Sequence, residues 1–211
     1  MKKHLFLLPA LCLLSCQHTP PKPEDPWQAG ARMEQATKNL RVARTFEAVI
    51  ARPSYSDSRD MWRGAALAQH DPKNSRVEIL LREQRGRLYI NNQIAMDFPV
   101  CSGRVGGHET PKGKFRISEK KREHRSTLYG SFVNSGGVVI DSSANSGQKA
   151  PKGARFVGTS MPYWMRFNGA VGMHVGSVFR SGASHGCVRV PEEACSILFD
   201  KLSVGSTVIV K

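Results

Sequence analysis

The spacing of apolar and polar positions changes along the chain and divides it into segments. Leu5–Leu14 is an apolar run without a charged residue. Between Trp27 and Ala51, apolar residues recur at steps of three and four, the period of an amphipathic helix, and Pro53 ends this pattern. A second short helix is predicted over Ser58–Gln69. Residues 27–74 are therefore expected to form a mainly helical segment.

After Asn74 the pattern becomes that of short strands separated by glycine and asparagine turns. One late amphipathic helix is predicted over Pro191–Leu202, where Glu192 and Glu193 suit the N-terminal end of the helix dipole. The fold class is therefore mainly β, a sandwich or barrel-like domain with a late helix, preceded by a short helical segment. The predicted strands are Val77–Leu81, Arg87–Ile90, Ile94–Cys101, Lys114–Ser118, Gly137–Asp141, Ala154–Gly158, Tyr163–Phe167, Val171–Val175 and Thr207–Val210.

The N-terminus has the features of an export signal. Lys2 and Lys3 precede an apolar run of ten residues, which is too short to span a bilayer as a helix. The run ends in Leu-Leu-Ser-Cys, which resembles a bacterial lipobox, so we predict cleavage before Cys16 and attachment of lipid to its thiol. The alternative is an ordinary secretory signal with an incidental cysteine.

The segment after Cys16 is rich in proline, with four prolines in the ten residues Gln17–Pro26. Such a segment is an extended tether of roughly 30 Å, at about 3.1 Å per residue. We predict a signal peptide over 1–15, a lipidated tether over 16–26, a helical accessory segment over 27–74 and a catalytic domain over 75–211. The protein is expected to be exported and membrane-anchored, facing the periplasm and cell wall. Gln17, in place of an aspartate, favours the outer membrane of a Gram-negative host.

The chain is strongly basic, with a formal net charge of +14 and an isoelectric point near 10.0. Outside the cytoplasm, this charge faces anionic envelope polymers, lipid head groups or peptide carboxylates. Nucleic acid is the competing partner, but the export signal and the lack of a nucleic-acid-binding motif argue against it.

Cysteine usage points to one reactive thiol. Once Cys12 leaves with the signal and Cys16 is acylated, Cys101, Cys187 and Cys195 remain, and an odd number in an oxidising compartment leaves at least one thiol unpaired or intermolecular. A Cys101–Cys195 disulfide and two buried free thiols are both compatible with the sequence. A thiolate beside an imidazole indicates acyl transfer through a thioester.

Two motifs resemble one family. His174-Val175-Gly176, followed from Ser184 by Ser-His-Gly-Cys-Val-Arg, resembles the signature of the L,D-transpeptidase (YkuD) catalytic domain. Thr110-Pro-Lys-Gly-Lys-Phe resembles the TPxGxF segment of the same family, and weaker matches lie at Ser126–Gly130, Ala154–Gly158 and Met161–Met165. The resemblance extends from about Val77 to Lys211.

The resemblance implies a role for each motif residue. Cys187 would be the nucleophile and His174 its base. Backbone N–H groups of Gly186 and Cys187 are expected to form an oxyanion hole. Other motif residues are expected to support catalysis or to bind substrate. His185 would shape the electric field around the thiolate or hold the loop, Ser184 would form hydrogen bonds or the turn, and Gly186 would allow close approach of the substrate. Arg189 would orient the loop or bind a substrate carboxylate, Gly176 would have a supporting role, and Tyr163 and Trp164 would line the cleft or pack in the core.

The implied reaction is peptidoglycan L,D-transpeptidation. Cys187 would attack the third, diamino residue of a stem tetrapeptide and release the terminal D-Ala. An amine of another stem peptide, a lysine of an envelope protein or water would then resolve the thioester. The resemblance also implies acylation of Cys187 by carbapenems.

Several alternatives remain open. The protein could be a noncatalytic wall-binding lipoprotein, an L,D-carboxypeptidase or a sortase-like cysteine transpeptidase, although no TLxTC-like segment is present. A zinc site built from His174, His185, Cys187 and Cys195 matches no standard spacing, so we expect no metal or organic cofactor.

Overall fold

A computed structural model describes residues 28–34 and 45–211, except for residue 180. The chain divides into two compact units, Met1–Val42 and Ala43–Lys211. In the first unit, the described residues form helix α1, 28–34. The predicted signal peptide, the tether and the lipidation site Cys16 lie outside the described residues. No described helix is long and apolar enough to cross a membrane.

The second unit is built mainly from short strands, which confirms the predicted fold class. Its helices are α2, Phe46–Ile50, and the predicted late helix α3, Glu192–Lys201. Two 3₁₀ turns cover Ala65–Gln69 and Pro72–Asn74. The strands are β1 Trp62–Arg63, β2 Ser75–Leu80, β3 Arg85–Ile90, β4 Gln93–Pro99, β5 Gly113–Arg116, β6 Glu119–Lys121, β7 Arg125–Asn134, β8 Val139–Asn145, β9 Ala154–Ser160, β10 Trp164–Asn168, β11 Val171–Val175, β12 Val188–Val190 and β13 Thr207–Val210.

Two sheets enclose the main core. The six-stranded sheet has the order β1-β4-β3-β2-β13-β5, and the four-stranded sheet has the order β12-β11-β10-β6. Their inward side chains and one face of α3 form a single apolar cluster that includes Ile79, Phe98, Met165, Met173 and Leu198. Each such side chain contributes about 1.5–3 kcal/mol when fully buried. This cluster fixes the position of β11, which carries His174, and of β12, which follows Cys187.

A third, antiparallel sheet has the order β8-β7-β9. It buries a small cluster of its own, with Phe132 at 3% exposure and its ring centroid 6.2 Å from that of Phe156. Strand β7 is ten residues long and was not among the predicted strands. Its charged and small residues break the apolar alternation that indicates a strand, so pairing with β8 and β9 defines it.

The helix predicted over Ser58–Gln69 is wrong. Trp62 and Arg63 form strand β1 instead, pairing with Asp97 and Met96 of β4, and the following residues form a 3₁₀ turn. Sheet pairing outweighs the weak helical periodicity of this segment. Of the longer helix predicted over Trp27–Ala51, the described parts at 28–34 and Phe46–Ile50 are helical, and 35–44 lie outside the described residues.

A buried ion pair attaches the segment before the sheets to β3 and β4. Arg85, 1% exposed, binds the fully buried carboxylate of Asp97, with Nε 3.0 Å from Oδ1. The same guanidinium donates to the backbone carbonyls of Ser58 and Asp60. Tyr55 donates its hydroxyl proton to the other Asp97 oxygen, over 2.8 Å. Residues 55–60 are thus held on the sheet by polar contacts rather than by a helix.

Candidate active site

The parallel pairing of β11 with β12 brings the two halves of the motif together. Met173 lies opposite Val188, His174 opposite Arg189 and Val175 opposite Val190. Cys187 precedes β12 by one residue, so it lies level with Gly172. Adjacent paired strands are separated by about 4.8 Å. The register therefore places the histidine and the cysteine on neighbouring strands beside one cleft.

The cleft has a volume of about 670 Å³ and lies between the three-stranded sheet and the strands that carry the motif. Both Cys187 and His174 line it, as do Ser184, His185, Arg189 and Trp164. The opposite wall comes from β7, β8 and β9, including Leu128, Tyr129 and Ala144. One open site therefore contains most of the residues that the motif singled out.

The His174 imidazole is uncharged in this site. The residue is 6% exposed, and Nδ1 lies 2.8 Å from the backbone oxygen of Val175. A carbonyl oxygen only accepts, so Nδ1 carries the proton and Nε2 keeps its lone pair. Burial lowers the pKa of His174 to about 4, and the charge of Arg189 acts in the same direction. The imidazole is therefore uncharged at neutral pH and available to accept a proton.

The thiol of Cys187 is protonated at rest. Burial raises its pKa above the ordinary value, although a hydrogen bond from the Gly172 backbone and the charges of Arg189 and Arg166 oppose the shift. Its Sγ lies 3.8 Å from the backbone oxygen of Ala170. The resting pair is thus a neutral thiol and a neutral imidazole, and a thiolate forms only when the thiol proton moves.

The turn before Cys187 is held by two hydroxyl groups. Ser184 Oγ accepts from the Gly186 amide over 3.1 Å and donates to the Cys187 carbonyl. Thr110 Oγ1 accepts from the Gly103 amide over 2.9 Å and donates to the Gly186 carbonyl over 2.8 Å. Gly186 has φ of 114°, a conformation that favours glycine. The threonine of the TPxGxF segment therefore fixes the turn that presents Cys187.

This arrangement corrects one expectation. The Gly186 amide was expected to help form an oxyanion hole, but it already donates to Ser184 Oγ. A donor engaged in this way is not directed at the substrate oxygen. The role of Thr110 was also missed by sequence reasoning, although the threonine stands in a motif that was noted.

His185 belongs to an aromatic cluster at the same cleft. Its ring stacks on Tyr129, with centroids 4.2 Å apart, and meets the edge of His108 at 4.8 Å. Nε2 lies 2.8 Å from an Arg104 nitrogen, so Nε2 accepts and Nδ1 carries the proton. Burial, followed by the charge of Arg104, lowers the pKa of His185. Sequence reasoning gave no role to His108 or Arg104, and it noted Tyr129 only as part of the weak match at Ser126–Gly130, because these residues lie on segments distant from His185.

Trp164 is both a core residue and part of the cleft. It is 1% exposed, and its Nε1 donates to Glu119 over 3.1 Å. Its ring stacks on His124 with centroids 4.8 Å apart and lies 6.2 Å from the His174 ring. Salt bridges to Lys121 and Arg166 also hold Glu119, and hydrogen bonds, foremost that from Lys121, lower its pKa to about 2.

Tyr163 lies elsewhere. Its ring packs against Phe199 at 5.5 Å and lines a neighbouring groove rather than the cleft that contains Cys187.

Gly176 leaves space for Arg189, since a Cβ there would lie 3.0 Å from the arginine Cγ. Arg189 lines the cleft beside Cys187.

The other two described cysteines are buried free thiols. Cys101 and Cys195 are not joined by a disulfide, and burial raises the pKa of Cys195 to about 12. Within the described part of the chain, no group of three His, Cys, Asp or Glu residues could hold a metal ion.

The chain is similar to several solved proteins. A solved L,D-transpeptidase from Mycobacterium smegmatis is 15% identical, with 65% of this chain and 58% of that chain covered and a TM-score of 0.49. One from Stackebrandtia nassauensis is 21% identical, with 71% and 68% covered and a TM-score of 0.47. One from Xylanimonas cellulosilytica is 23% identical, with 65% and 60% covered and a TM-score of 0.49.

The chain thus spans less than two thirds of the M. smegmatis and X. cellulosilytica chains. No curated protein sequence matches it. The model of the YkuD family, the L,D-transpeptidase catalytic domain, matches residues 74–210. Since that match covers more than half of the sequence, the chain belongs to the YkuD family of L,D-transpeptidase catalytic domains.

Proposed function

We propose that this protein is a peptidoglycan L,D-transpeptidase in which Cys187 carries the acyl group and His174 moves the protons. One observation carries the proposal: a neutral His174 with a free Nε2 lone pair lines the same cleft as the Cys187 thiol. Membership of the family supplies the reaction class. The donor is a stem tetrapeptide with a diamino acid at position three and D-Ala at position four.

In the first half-reaction, His174 Nε2 takes the thiol proton as Cys187 Sγ attacks the carbonyl carbon of the diamino residue. The bond to the D-Ala nitrogen then breaks, and His174 returns the proton to the leaving amine. The low pKa of His174 suits this second step, because the imidazolium is a strong acid in a buried site. The products are the thioester on Cys187 and free D-Ala.

In the second half-reaction, an amine attacks the thioester and His174 takes its proton. The carbon–sulfur bond breaks, and the proton passes to the departing Cys187 thiolate, which restores the resting pair. A stem-peptide side-chain amine gives a 3–3 cross-link, a protein lysine gives a wall-anchored protein, and water gives a carboxypeptidase reaction. The same pair of residues serves all three acceptors.

The location is part of the proposal. The signal over 1–15, the lipobox cysteine Cys16 and the proline-rich tether support an envelope lipoprotein facing the cell wall. Stable attachment by lipid requires more than one acyl chain on the anchor. The net positive charge suits the anionic polymers of that compartment.

The test is incubation of the protein with a synthetic tetrapeptide, followed by intact-mass measurement and quantification of D-Ala. We expect a covalent adduct on Cys187 and release of D-Ala, and imipenem should form an adduct at the same residue. Cys187→Ala should abolish both adducts, while Cys195→Ala, the buried-thiol control, should retain them. A wild-type protein that binds the peptide but releases no D-Ala would be a noncatalytic wall-binding protein.

A further inference from the structure

A second groove opens beside the catalytic cleft. It has a volume of about 740 Å³ and lies between the start of β7, the end of β9 and the N-terminus of α3. We call it the side groove. Its lining includes Arg122, Glu123, His124, Arg125, Ser160, Tyr163 and Glu192.

The side groove and the cleft share a wall. His124 lines both, and its ring stacks on Trp164, which lies 6.2 Å from the His174 ring. Arg104, Tyr129 and His185 line the cleft but not the side groove. The side groove therefore adjoins the cleft on the side of the catalytic base.

The charges of the side groove are available to a ligand. Arg122 and Arg125 are exposed, and neither is within salt-bridge distance of a described carboxylate. Packing on an aromatic ring orients the guanidinium group of Arg122, and a hydrogen bond orients that of Arg125. Arg122 lies 5.6 Å over the Phe199 ring, and Arg125 donates to the Gly158 carbonyl over 3.0 Å. Oriented guanidinium groups favour carboxylates.

The side groove also carries negative charge. Glu192, at the start of α3, and Glu123, which follows Arg122 in the chain, line it together with the two arginines. A ligand that matches both charges bears carboxylates and an ammonium group. A stem peptide with a free diamino-acid side chain has this combination, whereas water needs no such groove.

We propose that the side groove binds the acceptor stem peptide, with Arg122 and Arg125 holding its carboxylates and the negative charge of Glu123 and Glu192 favouring the approach of its ammonium group. This inference rests on the proposed function and adds the place from which the acceptor reaches the thioester. The acceptor amine must meet His174, which takes its proton, and the side groove opens on that side. The amine forms the new amide bond as the carbon–sulfur bond to Cys187 breaks, and the proton returns to sulfur through His174.

The experiment separates the two half-reactions. The double variant Arg122→Gln/Arg125→Gln is compared with wild type, using the tetrapeptide donor and a tripeptide acceptor ending in the same diamino acid. D-Ala release without acceptor reports acylation and hydrolysis, and the cross-linked product at subsaturating acceptor reports transfer. Arg155→Gln is the matched control, because Arg155 is an exposed arginine of β9 that lines neither the cleft nor the side groove.

We expect the double variant to lose about tenfold or more in transfer while D-Ala release stays within about twofold, since each lost charge-assisted contact weakens acceptor binding. Arg155→Gln should match wild type in both. Ser160→Trp, which fills the side groove without changing its charge, should also depress transfer alone. Equal transfer by wild type and these variants would overturn the proposal that the side groove binds the acceptor, while the proposed transpeptidase function would stand. A wild type that releases no D-Ala would overturn the proposed function, and the acceptor groove with it.

Discussion

His174 lies directly opposite Arg189 in the parallel pairing of β11 and β12. This register sets Cys187 level with Gly172, whose backbone hydrogen-bonds the thiol. A slip of one residue would turn every side chain of β12 to the other face of the sheet. Val188 and Val190 are fully buried on either side of Arg189, so the core fixes the register and with it the proposed catalytic pair.

The thiol of Cys187 should become more reactive as the pH rises. Because burial raises its pKa and the neighbouring imidazole is neutral, alkylation by iodoacetamide should accelerate about tenfold per unit between pH 6 and pH 8. Mass spectrometry of the modified protein measures this rate, with Cys187→Ser giving the background from other thiols. A rate that is flat between pH 5 and pH 7 would instead indicate a thiolate–imidazolium pair.

Burial of His174 should make the fold sensitive to acid. Its pKa is about 4 in the folded protein and 6.5 when exposed, so the unfolded chain takes up the proton first as the pH falls. The contribution is fully present above about pH 6.5 and is lost towards pH 4, amounting to about 3 kcal/mol. Urea unfolding of wild type and His174→Gln at pH 7 and pH 4 measures the difference. An equal pH dependence in the two proteins would contradict the burial of a neutral imidazole.

Thr110 should affect catalysis through the turn that it holds. Thr110→Val removes the donor to the Gly186 carbonyl and the acceptor of the Gly103 amide. Leaving such buried groups unpaired costs about 1–3 kcal/mol. If half of that cost is lost from the stabilisation of the transition state, D-Ala release should fall by about two- to tenfold. Thr207→Val, in β13 of the six-stranded sheet, is the matched control and should keep full activity.

Arg85 should matter for stability rather than for chemistry. Arg85→Met leaves the buried Asp97 with Arg87 as its remaining ion-pair partner and frees the carbonyls of Ser58 and Asp60. Breaking a buried pair in this way costs about 3–5 kcal/mol. Removing the exposed Arg63–Glu193 pair by Arg63→Ala should cost less than about 1 kcal/mol. Urea denaturation measures the free energy of unfolding of the two variants. Similar decreases would contradict the larger contribution expected from the buried pair.

The predicted strands and the late helix were recognisable because alternation and helical periodicity are local properties of the sequence. Where the local pattern is weak, prediction failed, as at β1 and β7. Both are defined by partner strands, β4 in one case and β8 and β9 in the other. No pattern within these segments specifies their partners.

By itself, the sequence determined the family, the mainly β fold and the identity of the residues around Cys187, because motifs and periodicity depend on residues close together in the chain. Tertiary structure alone decided that His174 is uncharged, that Thr110 holds the turn before Cys187, that Tyr163 lines the side groove instead of the cleft, and that Tyr129 and Arg104 reach His185. These properties depend on burial and on contacts between residues far apart in the chain. They arise only when the sheets pack and water is excluded.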